Sequence, residues 1–297
     1  MDRPSDRRTV RQELEWGLIP AVPVPFRGTH IDGAAQRAYA GWMSGQPIAG
    51  VAVWAHTGRG PRLSPKQRAA VLADWRSALP GKILIAGANG LRMARDAKRD
   101  GADALLAFAP RENAVVYHDE LSQLLPVIAF YLYRAAGGVD YDDATLHAIL
   151  SLPGVLGIKV ATLDSVITFQ RISRVMRDHP DKLLITGEDR FLGYSLMMGA
   201  RAALIGMAAA LTDVQAELLK ARKDGNERAF MRLSAQLDSF SAVTFREPME
   251  GYIRRMLWAV AAEGVIPDEA CDDPWGPPLP ETERDAVRRA VRDARVR

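Results

Sequence analysis

Cysteine is almost missing from this chain. Cys271 is the one copy among 297 residues, which excludes an internal disulfide and a thiolate metal site. That usage fits a reducing compartment, and the cytoplasm is the expected location. Long apolar runs are missing too. The longest, around Leu124–Tyr133, is about half of the ~18–20 residues that a membrane helix needs, so no membrane partner is expected. The opening segment Met1–Glu15 mixes Asp2, Asp6, Glu13 and Glu15 with arginines around no apolar core, so it does not read as a secretion signal. The five histidines, His30, His56, His118, His147 and His179, form neither an H-x-x-x-H pair nor an H-E-x-x-H motif, and no metal is expected. No G-x-G-x-x-G turn follows the first apolar run and no other nucleotide motif occurs, so no organic cofactor is expected. Charge is nearly balanced, at 39 Lys+Arg against 36 Asp+Glu. Basic residues are interspersed with acids, as in Arg284-Asp285 and Arg292-Asp293, and no basic block carries interleaved aromatics. Nucleic acid is therefore not an expected partner.

What is present is a large potential core, with 48% hydrophobic residues against 25% charged. Short apolar runs recur at Leu18–Val22, Val51–Ala55, Ile83–Ala86, Ala104–Phe108, Val127–Tyr131, Gly157–Lys159, Leu183–Thr186 and Ala203–Ile205. They are continuous rather than alternating, as parallel strands covered on both faces should be. Helix signals fall between them. Ser64-Pro65 opens Lys66–Ala78 with a cap and a first-turn proline, Leu91–Asp100 closes before Gly101, and Tyr141–Leu150 stops before Pro153. Eight such units predict an α/β fold, a (β/α)₈ TIM barrel over residues 17–212. A doubly wound sheet is the competitor, disfavoured by the missing glycine fingerprint. Residues 1–16 read as a tail or docked helix. Residues 213–297 read as a C-terminal helical region, with helices at Asp213–Phe240, Met249–Glu263 and Glu281–Arg295 and a loop at Pro267–Pro280.

Lys159 stands out. It interrupts Val155-Leu156-Gly157-Ile158-Lys159-Val160-Ala161, a run that otherwise reads as a buried strand. A buried ammonium ion is costly to dehydrate, and desolvation lowers its pKa and frees the lone pair that a Schiff-base nucleophile needs. A strand-end lysine paired with a carboxylate is the plain alternative. The other six lysines fall on predicted helix faces or element edges, where a cation can stay wet.

Several strand ends then carry one pattern: Ala21-Val22-Pro23-Val24-Pro25-Phe26 with Ile31-Asp32, His56-Thr57-Gly58 leading to Leu63-Ser64, Ile85-Ala86-Gly87, Gly101-Ala102-Asp103-Ala104, Tyr131, Gly157-Ile158-Lys159, Gly187-Glu188-Asp189, and Gly199-Ala200 before Ile205. In their order and spacing these motifs resemble the pyruvate-dependent class I aldolases typified by dihydrodipicolinate synthase and N-acetylneuraminate lyase. The resemblance implies a lyase in which Lys159 forms a Schiff base with a 2-oxo acid such as pyruvate, the lysine imine serving in place of a cofactor. It implies that Tyr131 shuttles protons and that Thr57 and the amides around Gly58 hold the substrate carboxylate. It also implies that Gly187 and Ile205 border the pocket through their backbone, and that the chain forms a homo-oligomer, a tetramer or dimer.

The departures from that family concern the substrate. Where the family reads Gly-Thr-Thr-Gly-Glu, this chain has Ala55-His56-Thr57-Gly58-Arg59. His56 thus takes the place of a relay threonine, and is read either as a catalytic proton relay or as a histidine satisfied by its loop. Arg59 replaces an acid and is expected to pair with Glu188 or Asp189. The segment Pro110–Tyr117 lacks the family's second relay tyrosine, and its substrate arginine becomes Ala136, with Arg134 two residues away as a substitute or a solvated loop residue. The acidic turn Gly187-Glu188-Asp189 would repel phosphate, which favours a non-phosphorylated substrate. The expectation is a lyase, aldolase or dehydratase, acting on a 2-oxo-3-deoxy sugar acid or 4-hydroxy-2-oxo acid rather than a true dihydrodipicolinate synthase. The alternative is a non-catalytic barrel that binds a 2-oxo acid.

Overall fold

The computed structural model describes residues 7–296, so the expected tail at Met1–Asp6 lies outside the described residues. Eight strands, Leu18–Pro20, Gly50–Val53, Ile83–Ala88, Ala104–Phe108, Val127–Leu132, Val155–Ala161, Leu183–Thr186 and Ala202–Ile205, pair in parallel in the order 1-8-7-6-5-4-3-2. A single parallel bridge, Ala21 to Ala52, joins the ends of that order and makes a nearly closed barrel. The eight apolar runs read from the sequence are therefore the eight staves, because strands buried on both faces need no polar alternation. A short hairpin, Phe26–Arg27 with His30–Ile31, carries no such run and was not legible.

Two apolar layers lie on either side of the sheet. Ile19, Ala52, Ile85, Leu106, Ile128, Phe130, Leu183 and Leu204 fill the barrel interior. Val51, Val53, Leu84, Ala86, Leu105, Ala129 and Val160 face the helices. The helix Arg7–Leu14 docks Val10 and Leu14 into the interior cluster, beside strand-start residues such as Ile83 and Leu183. Ser64 caps Pro65–Ala78 with a reciprocal Ser64–Gln67 capping box, as its sequence announces.

The C-terminal region departs from its expected shape in one respect. The helix read as Asp213–Phe240 breaks into Thr212–Lys223 and Glu227–Thr244, because Gly225 adopts a φ of +69° that a helix does not tolerate. Tyr252–Ala262 and Glu281–Val296 follow, the latter packed on both preceding helices. Arg255, fully buried, ties this region together. Its guanidinium meets Glu283 at 2.6 Å and donates to the carbonyls of Arg246 at 2.7 Å and of Glu247 and Pro248 at 3.3 Å. It therefore fixes the turn between two helices, at the residues that reach back over the barrel. Arg255→Ala takes the donor from the carbonyls of Arg246 and Glu247 and leaves Glu283 with Arg246 alone. It should cost ~3–5 kcal/mol, read as a lower urea midpoint at unchanged slope.

Candidate active site at the C-terminal strand ends

Lys159 lies in the sixth strand with Phe130 and Ile185 as its register partners. It is buried, with Nζ 4.3 Å from the centroid of the Phe130 ring. Burial pushes the amine pKa below that of an exposed lysine, and the nearby Asp189 and Glu188 only partly oppose the shift. Burial in turn raises the Asp189 carboxyl, against the backbone amide of Met207 that donates to it at 2.7 Å. Glu188 is pushed up to about 8 by burial even though it accepts from Thr162 and Leu163 amides, both at 2.7 Å. Three buried groups thus each lean toward their neutral form.

A small cavity of about 20 Å³ opens beside the amine, walled by His56, Thr57, Tyr133, Gly187, Asp189, Gly206, Phe245 and Tyr252 among others. Thr57 and Tyr252 share a hydroxyl contact of 2.9 Å. His56 and Tyr133 converge on one carboxylate oxygen, Glu250 Oε1, at 2.9 and 2.5 Å, while Arg59 donates to Glu250 Oε2 at 2.7 Å. Burial alone would raise the Glu250 carboxyl, but hydrogen bonds from His56, Tyr133 and Arg59 outweigh it and hold the group at about 2. Burial is also the main reason that the Tyr133 phenol sits well above its ordinary range, with Tyr252 and Glu250 adding to the effect. Arg59 is itself held by Asp273 at 2.7 Å. Among the described residues no cluster of three or more His, Cys, Asp or Glu has the arrangement of a metal site.

Residues 15–294 match the profile of the Dihydrodipicolinate synthetase family. The chain belongs to this family. Among its relatives is the 4-hydroxy-tetrahydrodipicolinate synthase of Ruegeria pomeroyi, 29% identical over 187 residues that span 58% of this chain and 63% of that enzyme. The enzyme of the same name from Nitrobacter hamburgensis is 26% identical over 250 residues, 78% of this chain and 82% of that one. The N-acetylneuraminate lyase of Escherichia coli is 23% identical over 277 residues, 88% of this chain and 91% of that one. Dihydrodipicolinate synthase from Agrobacterium tumefaciens shares the fold at a TM-score of 0.85 and 20% identity, covering 96% of this chain and 99% of that one.

Within this family fold, the structure brings Lys159, His56, Thr57 and Gly187 to one cavity. Gly58 sits in the adjoining turn, packed against the Val22 carbonyl. The Ile205 side chain packs toward the helices, and the next residue, Gly206, borders the cavity instead. Tyr131 is a correction: its side chain faces the helix layer, where its hydroxyl donates to Asp140 at 2.8 Å and meets Arg171 at 3.3 Å. The tyrosine at the cavity is Tyr133, just past the strand end. Arg134 is also corrected, since its side chain is 77% exposed and ion-paired with Asp140. Arg59 pairs with Glu250 and Asp273, not with Glu188 or Asp189. The expectation that the other lysines stay wet fails at Lys182, which is buried and satisfied by the carbonyls of Leu152 and Val155.

The wall residues Tyr252 and Phe245, and Glu250 behind His56 and Tyr133, were missed because they come from the C-terminal region, far from any strand end in sequence. Gly187 is where the cavity tolerates no side chain. A Cβ there would lie 2.6 Å from Lys159 Cε, 2.8 Å from Ala161 Cβ and 2.9 Å from the Val160 carbonyl. Gly187→Ala should destabilise by ~1–3 kcal/mol in chemical denaturation, because Ala161 and the Val160 backbone have no freedom to yield.

Proposed function

We propose that the chain is a Schiff-base-forming lyase acting on a 2-oxo acid. The observation that carries this reading is Lys159, an amine buried at the C-terminal end of a barrel strand, with its pKa lowered by burial and a polar cavity beside it. In this reading the Nζ lone pair attacks C2 of the oxo acid while the substrate carboxylate rests on the turn at Thr57. An Nζ proton passes to the C2 oxygen to give the carbinolamine, Tyr133 then gives its proton to that hydroxyl, water leaves, and the nitrogen lone pair closes the C2=N bond. The resulting cation draws electrons from C3, so that a C3 proton is lost or the bond beyond C3 breaks.

The family membership supports a lyase, and the E. coli N-acetylneuraminate lyase match extends along most of the chain. The substrate is proposed from what is absent around the cavity. Ala136 stands where the family places an arginine for the carboxylate of aspartate semialdehyde. Arg134, the substitute nearby, points to solvent on Asp140. Tyr117 and Tyr141, the tyrosines near the fourth and fifth strand ends, donate to the carbonyls of Ala88 and Pro110 instead. A 2-oxo-3-deoxy sugar acid or a 4-hydroxy-2-oxo acid, unphosphorylated, fits better than the dipicolinate-forming condensation, which purified protein should not support.

Borohydride reduction in the presence of pyruvate tests the chemistry. The adduct should map to Lys159, and Lys159→Ala should abolish it. Trapping should reach its plateau rate at a pH well below that of an ordinary lysine, because only the neutral amine attacks and burial favours that form. Tyr133→Phe should slow the formation of the imine by ~10²–10⁴-fold, whereas Tyr131→Phe should leave it intact. An adduct elsewhere, or none with any 2-oxo acid, would favour a binding barrel without catalysis.

A further inference from the structure

Glu250 holds two proton-bearing side chains of the cavity wall. His56 Nε2 lies 2.9 Å and the Tyr133 hydroxyl 2.5 Å from the same oxygen, Oε1. The other oxygen is occupied by Arg59, which Asp273 holds in turn at 2.7 Å. Arg59 thus fixes the orientation of the carboxylate and leaves Oε1 to two partners that exchange protons. The His56 ring packs edge-on to Tyr133 at 6.1 Å and stacks on Tyr252 at 6.3 Å, so its own orientation is fixed as well. Charge and geometry agree, since the carboxylate sits between a cationic guanidinium and two donors and both of its oxygens are satisfied.

We infer that Glu250 links His56 and Tyr133 into one proton relay serving Lys159, with the C-terminal region supplying its central member. The inference rests on the Schiff-base reading above. Imine formation from a neutral amine consumes one proton. As Tyr133 O–H gives its proton to the C2 hydroxyl of the carbinolamine, C2–O breaks and water departs. The phenolate is reprotonated through Glu250 Oε1, which takes the Nε2 proton of the His56 imidazolium and leaves a neutral imidazole. In the next step the flow reverses: the C3 proton passes to the Tyr133 oxygen as the phenolic proton moves through Glu250 back to His56, and the C3–H electrons form the enamine. Glu250 ends each cycle as it began. It acts through the two groups that line the cavity and is a positioning residue.

The test uses the full chain and pyruvate alone, so it needs no knowledge of the physiological substrate. Exchange of the pyruvate C3 protons in D₂O, followed by proton NMR, reads the relay in both directions. Glu250→Gln should lower the maximal exchange rate by at least ~100-fold while the KM for pyruvate changes little. His56→Gln, which leaves the Arg59–Glu250 pair in place, should do the same even if Glu250→Gln folds poorly. The double variant should be no slower than either single one, because members of one relay fail together. Undiminished exchange in Glu250→Gln or His56→Gln, losses that multiply in the double variant, or a raised KM at unchanged maximal rate would overturn the inference. A wild-type protein that gives neither an adduct nor exchange would overturn the Schiff-base reading instead, and the relay with it.

Discussion

Between the fifth and sixth strands the chain skips one residue, and the composition of the site depends on that slip. Val127 pairs with Val155, but Ile128 pairs with Gly157, so Leu156 has no partner and the pairing is offset from there onward. In parallel pairing, register partners share a face of the sheet, and a one-residue shift exchanges the two faces. Lys159 therefore stands opposite Phe130, inside the barrel, and Val160 stands opposite Tyr131, outside it. Without the extra residue, Lys159 would stand opposite Tyr131 and share its outward face, away from the cavity. With it, the amine lies against an aromatic ring in a dry interior, which lowers its proton affinity, and the phenol comes from Tyr133 beyond the strand.

The barrel alone does not complete this cavity. Phe245 and Tyr252 close it from the C-terminal region, with Glu250 behind His56 and Tyr133, and their placement depends on Arg255, whose guanidinium holds the carbonyls of residues 246–248 while pairing with Glu283. A buried cation is thus used as a fastener for backbone that has no strand or helix to satisfy it. A similar arrangement appears at Lys182, where two carbonyls and the Asp181 carboxylate at 3.4 Å receive the buried ammonium ion. Lys159 differs from both. Its carboxylate neighbours act through space, and burial favours the neutral, nucleophilic form.

The barrel was legible because its staves are unbroken apolar runs and its helices begin with caps such as Ser64-Pro65, both local signals. Lys159 was legible for the opposite reason, as a residue that contradicts its own strand. His56, Thr57 and Gly187 were found through turns that immediately follow strands, where chain position and spatial position coincide. Tyr131 was misread because side chains alternate along its strand from Val127, which faces the helices, and the order of the motifs does not reveal that parity. Arg59 was assigned to the nearest acids in motif order, Glu188 and Asp189, whereas its partners come from a loop and a turn of the C-terminal region. For Glu250, only the charged turn Arg246-Glu247-Pro248-Met249-Glu250 offered a signal, and it reads equally as solvated surface.

The central claim is that Lys159, opposite Phe130 and beside Tyr133, is the group that takes the substrate. A crystal structure of the protein incubated with pyruvate tests it most directly. The account predicts continuous density from Lys159 Nζ to C2, with the carboxylate at the Thr57 turn and the Tyr133 hydroxyl facing the new bond. Pyruvate bound without a covalent link to Lys159, or contacted by Tyr131 in place of Tyr133, would contradict it.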